Sequence, residues 1–191
     1  MFRKIIIGAV GLFLKAIYNT RIIGGENLNT DNGYVLTANH RSNWDVVVLY
    51  VLLKKQLNFM AKAELFENAF ASWFLKKFGA FPVKRNANDI NAIKQAIHIL
   101  NDNKILAIFP QGKRTNELKV DEAKAGAVLL ASRCRKPIVP VAITGEYKFR
   151  GKINIVVGEP IYFESNKLTQ EELSLNTVNV MKRIKELSES V

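Results

Sequence analysis

Two side chains in this sequence have the types and the spacing of an acid–base pair. In Asn39-His40-Arg41-Ser42-Asn43-Trp44-Asp45, an aspartate follows a histidine by five residues, where the apolar run Tyr34-Val35-Leu36-Thr37 gives way to a helical pattern. Imidazole, with an unperturbed pKa of about 6.5, exchanges protons at neutral pH, and a carboxylate on its other ring nitrogen fixes tautomer and orientation. In an open α/β sheet, a residue at a strand exit faces the crevice where ligands bind. The same spacing has a plainer reading, in which Ser42 or Asn43 is an N-cap and Asp45 merely favours the positive end of a helix. The second histidine, His98, lies beside the apolar stripe of a helical segment with no acid five residues on, and reads as structural.

Further along, cations and Pro/Gly turns sit at the ends of apolar runs: Gly79-Ala80-Phe81-Pro82-Val83-Lys84-Arg85, Phe109-Pro110-Gln111-Gly112-Lys113-Arg114-Thr115, Lys124-Ala125-Gly126 and Ile138-Val139-Pro140-Val141. Arginines at strand exits suit a phosphate, because the planar guanidinium forms paired charge-assisted bonds to its oxygens. Gly112 lets the backbone approach a ligand closely. Taken singly, each of these cations also reads as a solvated loop charge.

In this order the segments resemble the signature of the 1-acylglycerol-3-phosphate acyltransferases, also called lysophosphatidic acid acyltransferases or the PlsC family. An N-H-x4-D block, a G-x-x-x-V-x-R-like block, an F-P-E-G-x-R-like block and a V-P-V-like block follow one another from Asn39 to Val141. The resemblance implies transfer of an acyl group from a thioester, acyl-CoA or acyl-carrier protein, to the free hydroxyl of a lysophosphatidate, giving phosphatidate in phospholipid biosynthesis. In that reading His40 is the general base and Asp45 orients its imidazole, with no protein nucleophile, no metal and no cofactor beyond the thioester. Arg114 matches the phosphate-binding arginine, Lys62 a lysine near the same phosphate, and Arg85 and Lys124 further members of a cationic pocket. Gln111, Gly112 and Lys113 form the acceptor-binding loop. Gln111 replaces the glutamate of the F-P-E-G block and Lys113 the common threonine, so another lysolipid or glycerol phosphate stays open as acceptor. A reading from a different class is a non-catalytic basic module that binds acidic membrane.

Such residues need a scaffold that delivers several strand ends to one edge. Strand-like runs at 21–23, 34–37, 57–61, 81–84, 104–109, 137–144 and 152–157 alternate with helical patterns at 45–55, 64–77, 90–100 and 121–133. The box Thr169-Gln170-Glu171-Glu172 opens a last helix to about residue 188. The alternation predicts a single α/β domain with a mixed, mostly parallel sheet flanked by helices, preceded by a short amphipathic, apolar N-terminal helix. The 191 residues suffice for one such core. No dinucleotide, Walker A or G-x-S-x-G motif occurs, and the one cysteine excludes an internal disulfide. Cys134 stands between Arg133 and Arg135, a setting that lowers a thiol pKa, but without an adjacent base it reads as incidental.

A net charge of +11 calls for an anionic partner: nucleic acid, an acidic lipid surface or a phosphorylated substrate. No nucleic-acid signature supports the first, and the family resemblance implies a lysophosphatidate-type lipid as the phosphorylated substrate beside an acidic membrane. The N-terminal run Ile5 to Leu14 reaches about 15 Å as a helix, half of a bilayer core of about 30 Å, so it does not span. No Ala-x-Ala-like site follows to mark a signal peptide. Residues 1–19 are therefore expected to form a membrane-interface helix, with packing against the domain as the rival, and residues 20–191 the acyltransferase domain, peripheral on the cytoplasmic face of the cell membrane. The segment 64–78, with Leu65, Phe66, Phe70, Trp73, Phe74 and Phe78, reads as a core helix or as an acyl-chain or membrane-facing surface.

Overall fold

Apolar runs without polar alternation, such as Val35-Leu36 and Ile138-Val139, belong to strands covered on both faces, and parallel sheets supply that cover with crossover helices. The computed structural model describes residues 2–30, 32–84, 89–115 and 117–191. In chain order they form α1 (Phe2–Ile17), β1 (Asn19–Ile23), β2 (Val35–Ala38), α2 (Trp44–Leu52), β3 (Leu57–Lys62), α3 (Ala69–Lys77), β4 (Ala80–Val83), α4 (Ile90–Asn101), β5 (Ile105–Ile108), α5 (Gly126–Arg133), β6 (Ile138–Gly145), β7 (Lys152–Val157) and α6 (Gln170–Glu189).

The strands make one sheet in the order β1-β7-β6-β2-β5-β3-β4. Every pairing is parallel except β6 with β7, so β1 and β7 run against the other five. The carboxyl ends of β2, β3, β4, β5 and β6 therefore share one edge, and the amino end of β1 lies at that same edge. The mixed, mostly parallel sheet expected from the sequence is the one observed. Successive residues of a strand face opposite layers. Leu36 and Ala107 pack with Leu14 of α1 and Val48 and Leu49 of α2 on one side. Val35 and Leu106 pack with Ala96 of α4, Ala131 of α5 and Met181 of α6 on the other.

Several elements differ from the sequence reading. The single helix expected over 64–77 is broken. A 3₁₀ turn at Ala63–Phe66 ends before Asn68, whose side chain accepts the Ala71 N–H at 3.0 Å and caps a new helix, α3. None of the α3 residues is buried, which replaces the core-helix reading with an exposed apolar surface: Phe70 is 74% exposed, and its ring packs on Trp73. The helix expected from Asp121 starts at Gly126, because the Lys124 N–H is drawn to the carbonyl of Pro110 at 2.9 Å and holds the preceding residues as a turn. The capping box at Thr169 and Glu172 is present with both reciprocal bonds.

Helix α1 is about 24 Å long. Leu14 is fully buried, Ile7 and Val10 pack beside it, and Gly11 allows close contact with Val51. Ile5, Leu12 and Phe13 stay exposed. The helix thus packs on the domain with one face and leaves a second apolar face uncovered. Among the described residues, no helix is long and apolar enough to cross a membrane.

Candidate active site

The site begins where β2 runs out. Asn39 carries the β2–β6 pairing one step past the strand: its Nδ2 donates to the Ile143 carbonyl at 2.9 Å and its Oδ1 accepts the Ile143 N–H at 2.7 Å. The Arg41 guanidinium donates to the carbonyl of Gly145, and the Thr115 N–H donates to the carbonyl of His40 at 2.9 Å. The backbone on both sides of His40 is thereby fixed to β6 and to the loop after β5.

His40 Nδ1 lies 2.9 Å from Asp45 Oδ2, with the aspartate side chain 0% and the histidine side chain 13% exposed. The same Oδ2 accepts the Arg41 N–H at 2.6 Å and the Ser42 N–H at 2.7 Å, while Oδ1 accepts the Tyr147 hydroxyl at 2.6 Å. Asp45 is thus more than a helix-end anion. Asn43 precedes α2 without a side-chain capping bond, and the Asp45 carboxylate turns back onto the segment before the helix. Burial pushes the Asp45 carboxyl up, but the bonds from His40, Ser42, Tyr147 and Arg41 outweigh it and hold the group below its ordinary 3.8. Burial, and then the bond to Asp45, push the Tyr147 phenol well above its ordinary range, so it keeps its proton and donates. With Asp45 anionic, Nδ1 carries the imidazole proton and Nε2 the lone pair. Among the described residues Nε2 has no hydrogen-bond partner. Phe109 stacks on the imidazole with centroids 4.0 Å apart and planes at 16°, and Phe59 lies behind it at 6.2 Å.

The loop after β5 is built for its own rigidity. Gly112, at φ 65°, donates its N–H to the Phe109 carbonyl at 3.0 Å. Gln111 is 4% exposed and donates through Nε2 to the Glu117 carbonyl at 3.2 Å. That bond needs an amide, since a carboxylate would face a carbonyl oxygen there. The Lys124 side chain lies over the turn, its Nζ 3.5 Å from where a Cβ on Gly112 would stand. Lys113 extends to Glu122 at 2.8 Å, and Arg114 is exposed beside the Thr115 that holds His40. Lys62 ends β3 at the same sheet edge and pairs with Glu64 at 3.2 Å. The structure therefore gathers His40, Asp45, Gln111, Gly112, Arg114 and Lys124 around the exits of β2 and β5, with Lys113 turned to Glu122 and Lys62 to Glu64. Arg85 lies outside the described residues.

Asn39, Phe109 and Tyr147 emerge as site-building residues that the sequence did not point to in these roles. Two other expectations resolve plainly. His98 is exposed on α4, 3.7 Å from Asp102 one turn on. Burial pushes the Cys134 thiol up against the lowering pull of Lys136 and Arg133, in keeping with its reading as incidental.

The acyltransferase family model matches residues 19–144, a span that runs from β1 almost to the end of β6 and takes in both His40 and Asp45. The chain belongs to the acyltransferase family. This acyltransferase is 35% identical over 192 residues to the 1-acyl-sn-glycerol-3-phosphate acyltransferase of Bacillus subtilis (strain 168), with 96% of each chain covered. It is 35% identical over 151 residues to the enzyme of the same name from Streptococcus pneumoniae (strain ATCC BAA-255 / R6), covering 75% of this chain and 56% of that one. In structure it is similar to the crystal structure of the 1-acyl-sn-glycerophosphate (LPA) acyltransferase, PlsC, from Thermotoga maritima, with a TM-score of 0.73 and 25% identity over 99% of this chain and 82% of that one.

Proposed function

We propose that this acyltransferase moves a fatty acyl group from a thioester to the free hydroxyl of lysophosphatidate, giving phosphatidate, with His40 as general base. The observation that carries the assignment of His40 is the 2.9 Å contact of its Nδ1 with a fully buried Asp45, which leaves Nε2 to meet the acceptor. Nε2 takes the hydroxyl proton as the oxygen attacks the thioester carbonyl. The new C–O bond forms, the C–S bond breaks, and the imidazolium returns the proton to the leaving thiolate. Asp45 stabilises the imidazolium in between. Arg114 and Lys124, with Lys62 at the end of β3, are the cations assigned to the acceptor phosphate, and by the family resemblance Arg85 joins them. Gln111 serves to hold this loop, while Gly112 lets it approach the head group and Lys113 stands at its rim.

The protein works as a peripheral enzyme on the cytoplasmic face of an acidic membrane, with the exposed face of α1 in the interface. The chemistry asks for no cofactor beyond acyl-CoA or acyl-carrier protein, and parallel assays with the two thioesters identify the donor.

The deciding experiment is labelled acyl transfer to lysophosphatidate by wild type and His40→Ala. The expected loss is about 10²–10⁴-fold, the usual worth of a positioned general base. A variant within a few-fold of wild type rules the role out.

A further inference from the structure

The connection between β6 and β7, residues 145–151, lies outside the sequence segments that carry the family resemblance, yet it supplies the partner of one Asp45 oxygen. Oδ2 is held by three donors from residues 40–42, all local. Oδ1 is held by Tyr147, 102 residues further along the chain. Local donors alone leave the carboxylate pinned at one oxygen; the phenol on the second fixes its plane, and with it the direction in which Oδ2 meets His40 Nδ1.

Tyr147 is itself seated by the start of the chain. Its ring and that of Tyr18 form an edge-to-face pair with centroids 5.9 Å apart and planes at 81°. Tyr18 sits between α1 and β1, and its N–H donates to the Leu14 carbonyl at 2.7 Å. The same junction grips the connection from below: the Arg150 N–H donates to the Ile17 carbonyl at 2.7 Å and the Asn19 N–H to the Gly151 carbonyl at 3.0 Å. At the other end, Gly145 takes the Arg41 guanidinium on its carbonyl. Its φ of 91° and the close backbone of Lys152 leave no room for a side chain.

We infer that Tyr147 is a positioning residue for acyl transfer: its hydroxyl orients Asp45, and through it His40, and Tyr18 at the α1–β1 junction holds the phenol in place. The inference rests on the reading of His40 as general base. It gives α1 a task at the active site that is separate from any contact with lipid.

The test is steady-state kinetics on the full chain in detergent, with dispersed lysophosphatidate and whichever thioester the wild type accepts, for wild type, His40→Ala, Tyr147→Phe, Tyr18→Ala and Tyr18→Phe. Tyr147→Phe is expected to lower kcat about tenfold, the scale of one charge-assisted hydrogen bond, with KM for both substrates within about twofold. The low-field proton resonance of His40 Nδ1, absent in His40→Ala, is expected to move in Tyr147→Phe. Tyr18→Ala is expected to lower kcat several-fold, with Tyr18→Phe restoring it. A Tyr147→Phe enzyme with wild-type kcat beside an inactive His40→Ala overturns the inference and spares the base. An active His40→Ala overturns the base itself. Should Tyr147→Phe lose its fold, equal kcat in Tyr18→Ala and Tyr18→Phe overturns the inference instead.

Discussion

At the scale of single residues, Asp45 carries the site's electrostatics. A fully buried carboxylate is costly unless its lone pairs are occupied, and here four donors occupy them. An asparagine fits the same space, with its oxygen toward His40, Arg41 and Ser42 and its amide toward the Tyr147 oxygen. It loses only the charge that stabilises an imidazolium. Asp45→Asn should therefore fold and lose about 10²-fold in kcat, less than His40→Ala, as acyl-transfer rates will register. Because the folded carboxyl titrates below its ordinary 3.8, its stabilisation is present above that value and is lost as pH falls through the folded value. Urea midpoints at about pH 6 and about pH 3 should differ less in Asp45→Asn than in wild type. The pair itself was legible in the sequence because five residues separate its members, and short spacings survive as motifs. Tyr147 and the Ile143 that receives Asn39 stand more than a hundred positions from their partners. Only the parallel crossover through β5 and β6 brings them together, and no local pattern announces such a contact.

At the scale of elements, the β2–β6 seam decides where His40 stands. Asn39 replaces a strand residue with a side chain, satisfying both backbone groups of Ile143 where β2 has already turned out of the sheet. Asn39→Ala leaves a buried N–H and a buried carbonyl without partners. It should cost about 3 kcal/mol in chemical unfolding and reduce activity in step, since the anchor of His40 goes with it. The strands were readable because their apolar runs are short and bounded by turns. The breaks were not: Asn68 and Lys124 end or delay helices through one hydrogen bond each, and the apolar periodicity runs on across both points. The exposure of α3 was equally hidden, since an amphipathic pattern does not say whether protein or something else faces the apolar side.

At the scale of the whole molecule, the +11 charge and the uncovered face of α1 belong to the same question. Truncating the helix is a poor way to ask it, because Leu14 is part of the core and its removal would open that layer. Leu12 and Phe13 are exposed, so Leu12→Glu and Phe13→Glu should leave the fold intact. Together they should weaken co-sedimentation with acidic phospholipid vesicles at least tenfold, given about 1.5–3 kcal/mol for each large apolar side chain withdrawn from water. Turnover of dispersed substrate should stay unchanged, because Leu12 and Phe13 are exposed while Tyr18 packs against the core.

The pairing of β1 with β7 sets a schedule for synthesis. Asn19 pairs with Lys152, and Ile143, Gly145 and Tyr147 all come late in the chain. At about 5–20 residues per second, the ribosome needs on the order of ten seconds after making β1 to supply its partner strand. Through that interval the sheet layer beneath α1 is incomplete, and of the elements it packs on only those as early as α2 have been made. The helix is least covered while Ile143 and Tyr147, which anchor the catalytic pair, are still to be made, so whatever α1 meets first, it meets before the protein can turn over a substrate.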